Sequence, residues 1–246
     1  MNYSSYVGNG LTGLVNLGNT CYINSGLQVL SHIPEMNEYI SHYLKQHSDL
    51  SNRDIAFLKE WNDLWKLMWK KNGTISPNRF IRSKQFISKE KKKDEFVGFS
   101  QNDTTEFLHF MMEIFHDALQ SCKNKEDLFR NQLNIFKNIP SFCSFLKNQH
   151  KDSFTVMDML FSTYIKIELF DKKSNKRLSS NYESFCIFDL ALTKLDVDNC
   201  LNVHFSNEEM NESNNNQFYD DKEKIYKDVI KRQTLMNCPP YLIVQL

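Results

Sequence analysis

The chain has 246 residues, 41% of them apolar and 13% aromatic, and its 30 basic and 30 acidic side chains cancel. That length allows one large domain or two small ones with a sizeable core, and the balanced charge gives no argument for a nucleic-acid or anionic-membrane partner. No apolar run approaches the roughly 20 residues that span a bilayer, and Met1–Tyr6 lacks the basic and apolar regions of a secretory signal.

Five of the seven glycines (Gly8, Gly10, Gly13, Gly18, Gly26) fall at the start of the chain, which suits a loop needing unusual backbone angles or close backbone approach. A helix is predicted from Thr20 or Cys21, capped by Thr20 or Asn19. Ile23, Leu27 and Leu30 form its apolar stripe, and Pro34 marks its end. Phe57–Trp69 reads as a second helix, with Phe57, Trp61, Leu64, Trp65 and Met68 on a buried face. Lys89–Glu95 mixes charge signs and reads as a solvated loop. Ser100 opens a third helix, with Ser100 and Asp103 as a capping box and Phe107, Leu108, Met111, Ile114, Phe115 and Ala118 as its buried face.

After about residue 155 the pattern changes. Thr163–Phe170 alternates with period two and reads as a strand, which the polar Asp171–Ser180 turns back into a hairpin. Phe185–Leu192 and Tyr241–Leu246 read as further strands. The acidic, asparagine-rich Asn207–Asp221 reads as a mobile loop. Helices first and strands after suggest an α+β domain.

The six cysteines (Cys21, Cys122, Cys143, Cys186, Cys200, Cys238) are scattered, with no Cys-x-x-Cys pair. That argues against a disulfide framework and a cysteine-rich zinc site. It points to a reducing, intracellular location, in the cytoplasm and/or nucleus. Five of the six read as ordinary half-buried thiols. Cys21 is different, because it sits where a glycine-rich loop meets a helix. The N–H groups and dipole of a helix N-terminus favour a thiolate, and they also face any oxyanion formed there, with the amide of Asn16 or Asn19 as a further donor. Cys21 is therefore a candidate acyl-transfer nucleophile. A cysteine at a helix start also suits a purely structural role.

Two blocks favour chemistry. Gly13-Leu-Val-Asn-Leu-Gly-Asn-Thr-Cys21-Tyr-Ile-Asn-Ser-Gly-Leu-Gln28 resembles the cysteine box of the ubiquitin-specific proteases, in the papain-like clan. Gln101-Asn-Asp-Thr-Thr-Glu-Phe-Leu108 resembles that family's second box. Pro239-Pro-Tyr-Leu-Ile-Val-Gln-Leu246 resembles the strand that begins its C-terminal half. The resemblance implies a papain-like right-hand α+β fold. One catalytic domain would span 1–246, with a helical thumb over 1–150 and β-rich fingers and palm over 151–246, incomplete at the C-terminus. It implies a thiol-dependent deubiquitinase that needs no cofactor and hydrolyses (iso)peptide bonds after the C-terminal glycine of ubiquitin. Its partners would be ubiquitin and ubiquitinated proteins, with no nucleic acid and no membrane. By position, Cys21 is the nucleophile and Asn16 the oxyanion-stabilising amide. Gln101, Asp103 and Glu106 match positions that shape the cleft and hold the substrate tail. Carboxylates can pair with the arginines of ubiquitin's Arg-Leu-Arg-Gly-Gly end, though Asp103 and Glu106 also suit a helix N-terminus.

The chain departs from the family in two ways. The zinc-binding cysteine pairs of many members would fall near Leu169–Ser174 and Phe218–Lys224, and neither segment contains cysteine. The fingers are therefore expected to hold without zinc. The family's histidine base lies in a Gly-His-Tyr type block beyond the third block. None of the seven histidines (His32, His42, His47, His109, His116, His150, His204) sits in such a context. The apolar run at Tyr241–Leu246 reads as a strand cut short. An inactive ubiquitin-binding or scaffold relative and a protease for a ubiquitin-like modifier are the competing expectations.

Overall fold

The stripe that follows Cys21 folds as helix α1 (Cys21–Ser31), with Ile23, Leu27 and Leu30 buried as expected. The computed structural model of the chain describes residues 3–47, 51–120, 125–150, 153–221 and 223–246. Pro34 ends α1's run but also opens an unanticipated helix, α2 (Pro34–Gln46). At the first helical position proline has no N–H bond to lose.

Helix α3 (Arg53–Lys70) carries the tryptophan stripe, and Asn52 caps it by accepting from the N–H groups of Asp54 and Ile55. Phe57, Trp61, Leu64, Trp65 and Met68 are buried. Their indoles need acceptors in that setting. Trp61 donates to Asn37 Oδ1 (2.9 Å), and Trp65 and Trp69 donate to Ser31 O. An unpredicted helix, α4 (Asn78–Glu90), and α5 (Thr104–Leu119) complete this helical region. Phe57, Phe80, Trp61 and Phe115 pack ring to ring. The face expected for α5 is buried.

Two expectations here need correction. Lys89–Glu95 is not a simple solvated loop: Lys89 and Glu90 finish α4, and Asp94–Phe96 forms a 3-10 turn with Phe96 buried. Lys91 pairs with Asp54 (3.2 Å) and Asp117 (2.6 Å). Burial opposes the charge of Lys91, and these two carboxylates outweigh it to raise its pKa. The cap of α5 is Asp103, not Ser100: Asp103 Oδ1 accepts from Thr105 N (2.7 Å) and Glu106 N (3.1 Å). Two short parallel strands, β1 (Gly13–Leu14) and β2 (Thr74–Ile75), pin the N-terminal loop to the α3–α4 connection.

Helices α6 (Lys125–Ile135), α7 (Pro140–His150) and α8 (Val156–Phe161) precede the strands. The predicted hairpin is present as β3 (Thr163–Asp171) and β4 (Arg177–Phe185). The other two predicted strands shrink to β5 (Ile187–Asp189) and β10 (Ile243–Gln245), which pair in parallel. Between them lie α9 (Val197–His204), β6 (Glu208–Met210), β7 (Phe218–Asp220), β8 (Ile225–Lys227) and the unpredicted β9 (Val229–Asn237). The main sheet has the order β4-β3-β9-β6.

Asn207–Asp221, expected as a mobile loop, holds β6, a 3-10 turn and β7. Its asparagines make the difference by bonding the local backbone. Asn211 Oδ1 accepts from Asn214 N, Asn216 Oδ1 accepts from Asn211 N, and Asn214 Nδ2 donates to Glu209 O.

The chain divides into two compact units, Met1–Gln132 with Asp152–Met157 and Leu133–Lys151 with Asp158–Leu246. The first is largely helical and the second holds the long strands, as the α+β reading anticipates. Of the cysteines expected as half-buried thiols, Cys143 and Cys186 are so, Cys200 is buried and Cys238 is exposed. Cys122 lies outside the described residues.

Candidate active site

The loop before Cys21 is fixed at both ends. Gly13 N donates to Gly73 O (2.7 Å) and Val15 N to Ile75 O (2.9 Å). From α1, Gln28 Nε2 donates to Thr12 O, and Asn24 Nδ2 reaches the carbonyls of Leu14 and Val15. Gly10 is required where it stands: its φ is +78°, and a Cβ there would lie 2.6 Å from the Trp69 ring.

Past Val15 the chain turns through two left-handed residues, Gly18 and Asn19. Asn16 organises this turn. Its Oδ1 accepts from Gly18 N (3.2 Å), Thr20 N (3.1 Å) and the Thr20 hydroxyl (3.0 Å). With the carbonyl oxygen committed to the loop, the Nδ2 donor of this exposed side chain is left free among the described residues.

The expected side-chain cap on α1 is absent. Thr20 precedes the helix, but its Oγ1 accepts from Leu17 N and donates to Asn16. Asn19 does not cap either. Cys21 is thus the first residue of a helix whose leading N–H groups meet no capping side chain. It is exposed, and its thiol has no hydrogen-bond partner among the described residues. An exposed thiol, open backbone N–H groups and a free side-chain amide next to a helix N-terminus are the kind of parts that can attack a carbonyl and hold the resulting oxyanion.

The second block is carried to this helix by close packing of α1 on α5. Gly26 permits it, because a Cβ there would lie 2.9 Å from the Phe107 ring and 3.4 Å from Leu108. Asn102 donates to the hydroxyl of Tyr22 (3.2 Å), the residue after Cys21. Burial raises the Tyr22 pKa, Asn102 partly offsets this, and Cys21 adds to it, so the phenol stays protonated at neutral pH. Gln101, Asp103 and Glu106 are all exposed. Asp103 is visibly the helix cap, while the side chains of Gln101 and Glu106 make no hydrogen bond among the described residues. The sequence reading missed Asn102 and Tyr22 as site residues; both stand inside the quoted blocks, yet nothing in their spacing signals that they touch.

The histidines are engaged elsewhere. His32 Nδ1 lies 2.8 Å from Gln28 O, His42 meets Gln46, and His47 stacks on Tyr43. His116 lies beside Asp117 and Gln120, and His109 is exposed on α5. His150 meets Tyr164 OH (2.8 Å) and lies 3.7 Å from Asp158. His204 packs on Phe188 and Phe205, where burial and then Lys231 depress its pKa. None is hydrogen-bonded to Cys21 among the described residues.

Among those residues no cluster of three or more metal-ligating side chains occurs. The two segments where zinc pairs would fall carry local side-chain bonds. Asp171 Oδ1 gathers Lys173 N, Ser174 N and Ser174 Oγ in the β3–β4 turn, and Lys227 bridges Asp220 and Glu223 beside β7 and β8. No described helix is long and apolar enough to cross a membrane.

Comparison with known proteins gives the family of the chain. Residues 12–246 match the family model of ubiquitin carboxyl-terminal hydrolases. Ubiquitin carboxyl-terminal hydrolase 2 of Bos taurus is 36% identical over 113 residues, which is 45% of this chain and 18% of that protein. Ubiquitin carboxyl-terminal hydrolase 10 of Arabidopsis thaliana is 36% identical over 126 residues, 47% of this chain and 12% of that protein. The chain thus matches less than a fifth of the length of these relatives. In fold it resembles a chain in the structure of the SAGA Ubp8/Sgf11/Sus1/Sgf73 DUB module bound to ubiquitin aldehyde. The TM-score is 0.69 at 18% identity, over 99% of this chain and 48% of that one. The match over 12–246 establishes that the chain belongs to the ubiquitin carboxyl-terminal hydrolase family.

Proposed function

We propose that this chain carries the nucleophile of a thiol-dependent deubiquitinase. The Cys21 thiolate attacks the carbonyl carbon of ubiquitin's terminal glycine. The oxyanion is held by Asn16 Nδ2 and the backbone N–H of Cys21. Collapse expels the amine and leaves a thioester on Cys21, which water then hydrolyses. Gln101, Asp103 and Glu106 face the arginines of the ubiquitin tail. The thumb-like part is residues 1–150, and the fingers and palm are residues 151–246. A general base must take the thiol proton and return it to the leaving amine, and we assign that role to none of the seven histidines. The five free thiols among the described residues fit a reducing, intracellular setting.

The observation that carries this reading is Asn16. Its carbonyl oxygen is consumed by three bonds inside the loop, which leaves its amide nitrogen unengaged five residues before an exposed cysteine that opens an uncapped helix. The test is reaction of the chain with ubiquitin bearing a C-terminal vinyl sulfone. One adduct at Cys21 is expected and lost in Cys21→Ala, and acyl transfer to Cys21 from a ubiquitin C-terminal thioester, which does form an oxyanion, is expected to slow about 10²–10³-fold in Asn16→Ala. A chain that iodoacetamide alkylates at Cys21 but the ubiquitin probe never labels refutes it.

The placement of the histidines favours a second reading, a ubiquitin-binding relative without turnover. It predicts ubiquitin affinity and probe labelling but no release of a reporter from the ubiquitin C-terminus. Labelling by a ubiquitin-like modifier's probe, and not by ubiquitin's, would point instead to a protease for that modifier.

A further inference from the structure

Residues 97–103 form the approach to α5 and present Gln101 and Asp103. Phe99, Ser100, Gln101 and Asp103 in this stretch are exposed, and Asn102 is only partly so. Asn102 is the side chain that turns inward. Its Nδ2 lies within hydrogen-bond distance of Glu95 O (2.7 Å), Tyr22 OH (3.2 Å) and Ser100 O (3.2 Å). One amide nitrogen thus links the 3-10 turn before the loop, the loop itself and the residue after Cys21.

Both anchors are rigid. Tyr22 is buried, edge-on to Phe107 with ring centroids 5.6 Å apart. The Asp94–Phe96 turn is held from beneath, where the fully buried Lys84 of α4 donates from Nζ to Phe96 O, and the Phe96 ring stacks on Phe110. A donor between two fixed acceptors has little freedom, so Asn102 sets where the exposed loop lies relative to the turn that bears Cys21.

We propose that Asn102 is a positioning residue, whose amide clamps the loop carrying Gln101 and Asp103 to Tyr22 beside the nucleophile. The proposal rests on the reading of Cys21 as the nucleophile toward ubiquitin. Asn102 touches no reacting atom. It determines how well a ubiquitin tail is presented to the thiol, and it leaves the thiol's own reactivity alone.

The test uses the full chain with Asn102→Ala, Tyr22→Phe and the double variant. Tyr22→Phe keeps the packing against Phe107 and removes only the hydroxyl. Rates are measured with the ubiquitin vinyl sulfone and with iodoacetamide. Asn102→Ala should slow the ubiquitin probe about tenfold, the factor one neutral hydrogen bond supplies. Tyr22→Phe should slow it less, and the double variant no more than Asn102→Ala alone, since the two groups share one bond. Iodoacetamide rates should stay within about twofold. Additive losses, equal losses with both probes, or no loss overturns the clamp. If the unaltered chain ignores the ubiquitin probe, the deubiquitinase reading falls on its own account. The clamp is then decided by amide hydrogen exchange: faster exchange across 97–103 in Asn102→Ala supports it, and unchanged exchange overturns it.

Discussion

Lys84 gives the sharpest test of the structure. It is fully buried on α4, and its Nζ donates to Phe96 O. Burial alone lowers its pKa from 10.5 to about 8. At about 1.36 kcal/mol per unit, keeping this ammonium charged at neutral pH costs the fold about 3 kcal/mol. Lys84→Met keeps most of the volume and removes that cost, but it leaves the Phe96 carbonyl unpaired, at about 1–3 kcal/mol. The net change at pH 7 is therefore small, and the information lies in the pH dependence. The folded pKa is below the unfolded one, so the unfolded chain binds the proton more tightly. The penalty is complete below about pH 8 and lifts as pH rises toward 10.5. Tyr22 and Tyr164 have raised pKa values, chiefly from burial, and work the other way only above about pH 10. The usable window is pH 8 to 10. Urea unfolding followed by the fluorescence of Trp61, Trp65 and Trp69, all on α3, reads it. The wild-type chain should gain about 2–3 kcal/mol relative to Lys84→Met between pH 7 and pH 10. A difference that moves by less than about 0.5 kcal/mol over that range refutes the buried, charged lysine.

Two substitutions test other parts of the site. Gly26→Ala places a Cβ 2.9 Å from the Phe107 ring, so α1 must shift from α5; a loss of about 1–3 kcal/mol is expected in urea unfolding, with slower labelling by the ubiquitin probe. An unchanged midpoint would show that the α1–α5 contact is looser than described. Asp103 combines a cap with a proposed charge, and a pair of variants separates them. Asp103→Asn keeps a capping oxygen and should leave stability within about 0.5 kcal/mol, whereas Asp103→Ala should lose about 1 kcal/mol. If the carboxylate faces ubiquitin's arginines, both should weaken ubiquitin binding by calorimetry; if only Asp103→Ala does, the residue is a cap alone.

Much of the site was legible because its signals are local. The stripes of α1, α3 and α5 repeat every three to four residues, so their buried faces follow from the order of residues alone. The cysteine box was readable for the same reason, as Asn16, Gly18, Thr20 and Cys21 form one continuous turn whose bonds span at most four residues. Errors came where two local patterns competed. Ser100-x-x-Asp103 and Asp103-x-x-Glu106 are overlapping capping signals, and the second caps the helix while Asn102 is drawn inward to Glu95 and Tyr22. Asn207–Asp221 looked like a loop by composition, yet its asparagines bond the backbone into turns between short strands.

The amino-acid sequence by itself determined the cysteine box, its candidate nucleophile and the helix-then-strand order, since each is written in neighbouring residues. The tertiary structure decided that Lys84 is buried with no carboxylate partner among the described residues, and that Asn102 meets Tyr22 across 80 positions of chain. Those outcomes depend on which helices pack together, and the free energy of that packing belongs to contacts between segments that no single stretch of sequence contains.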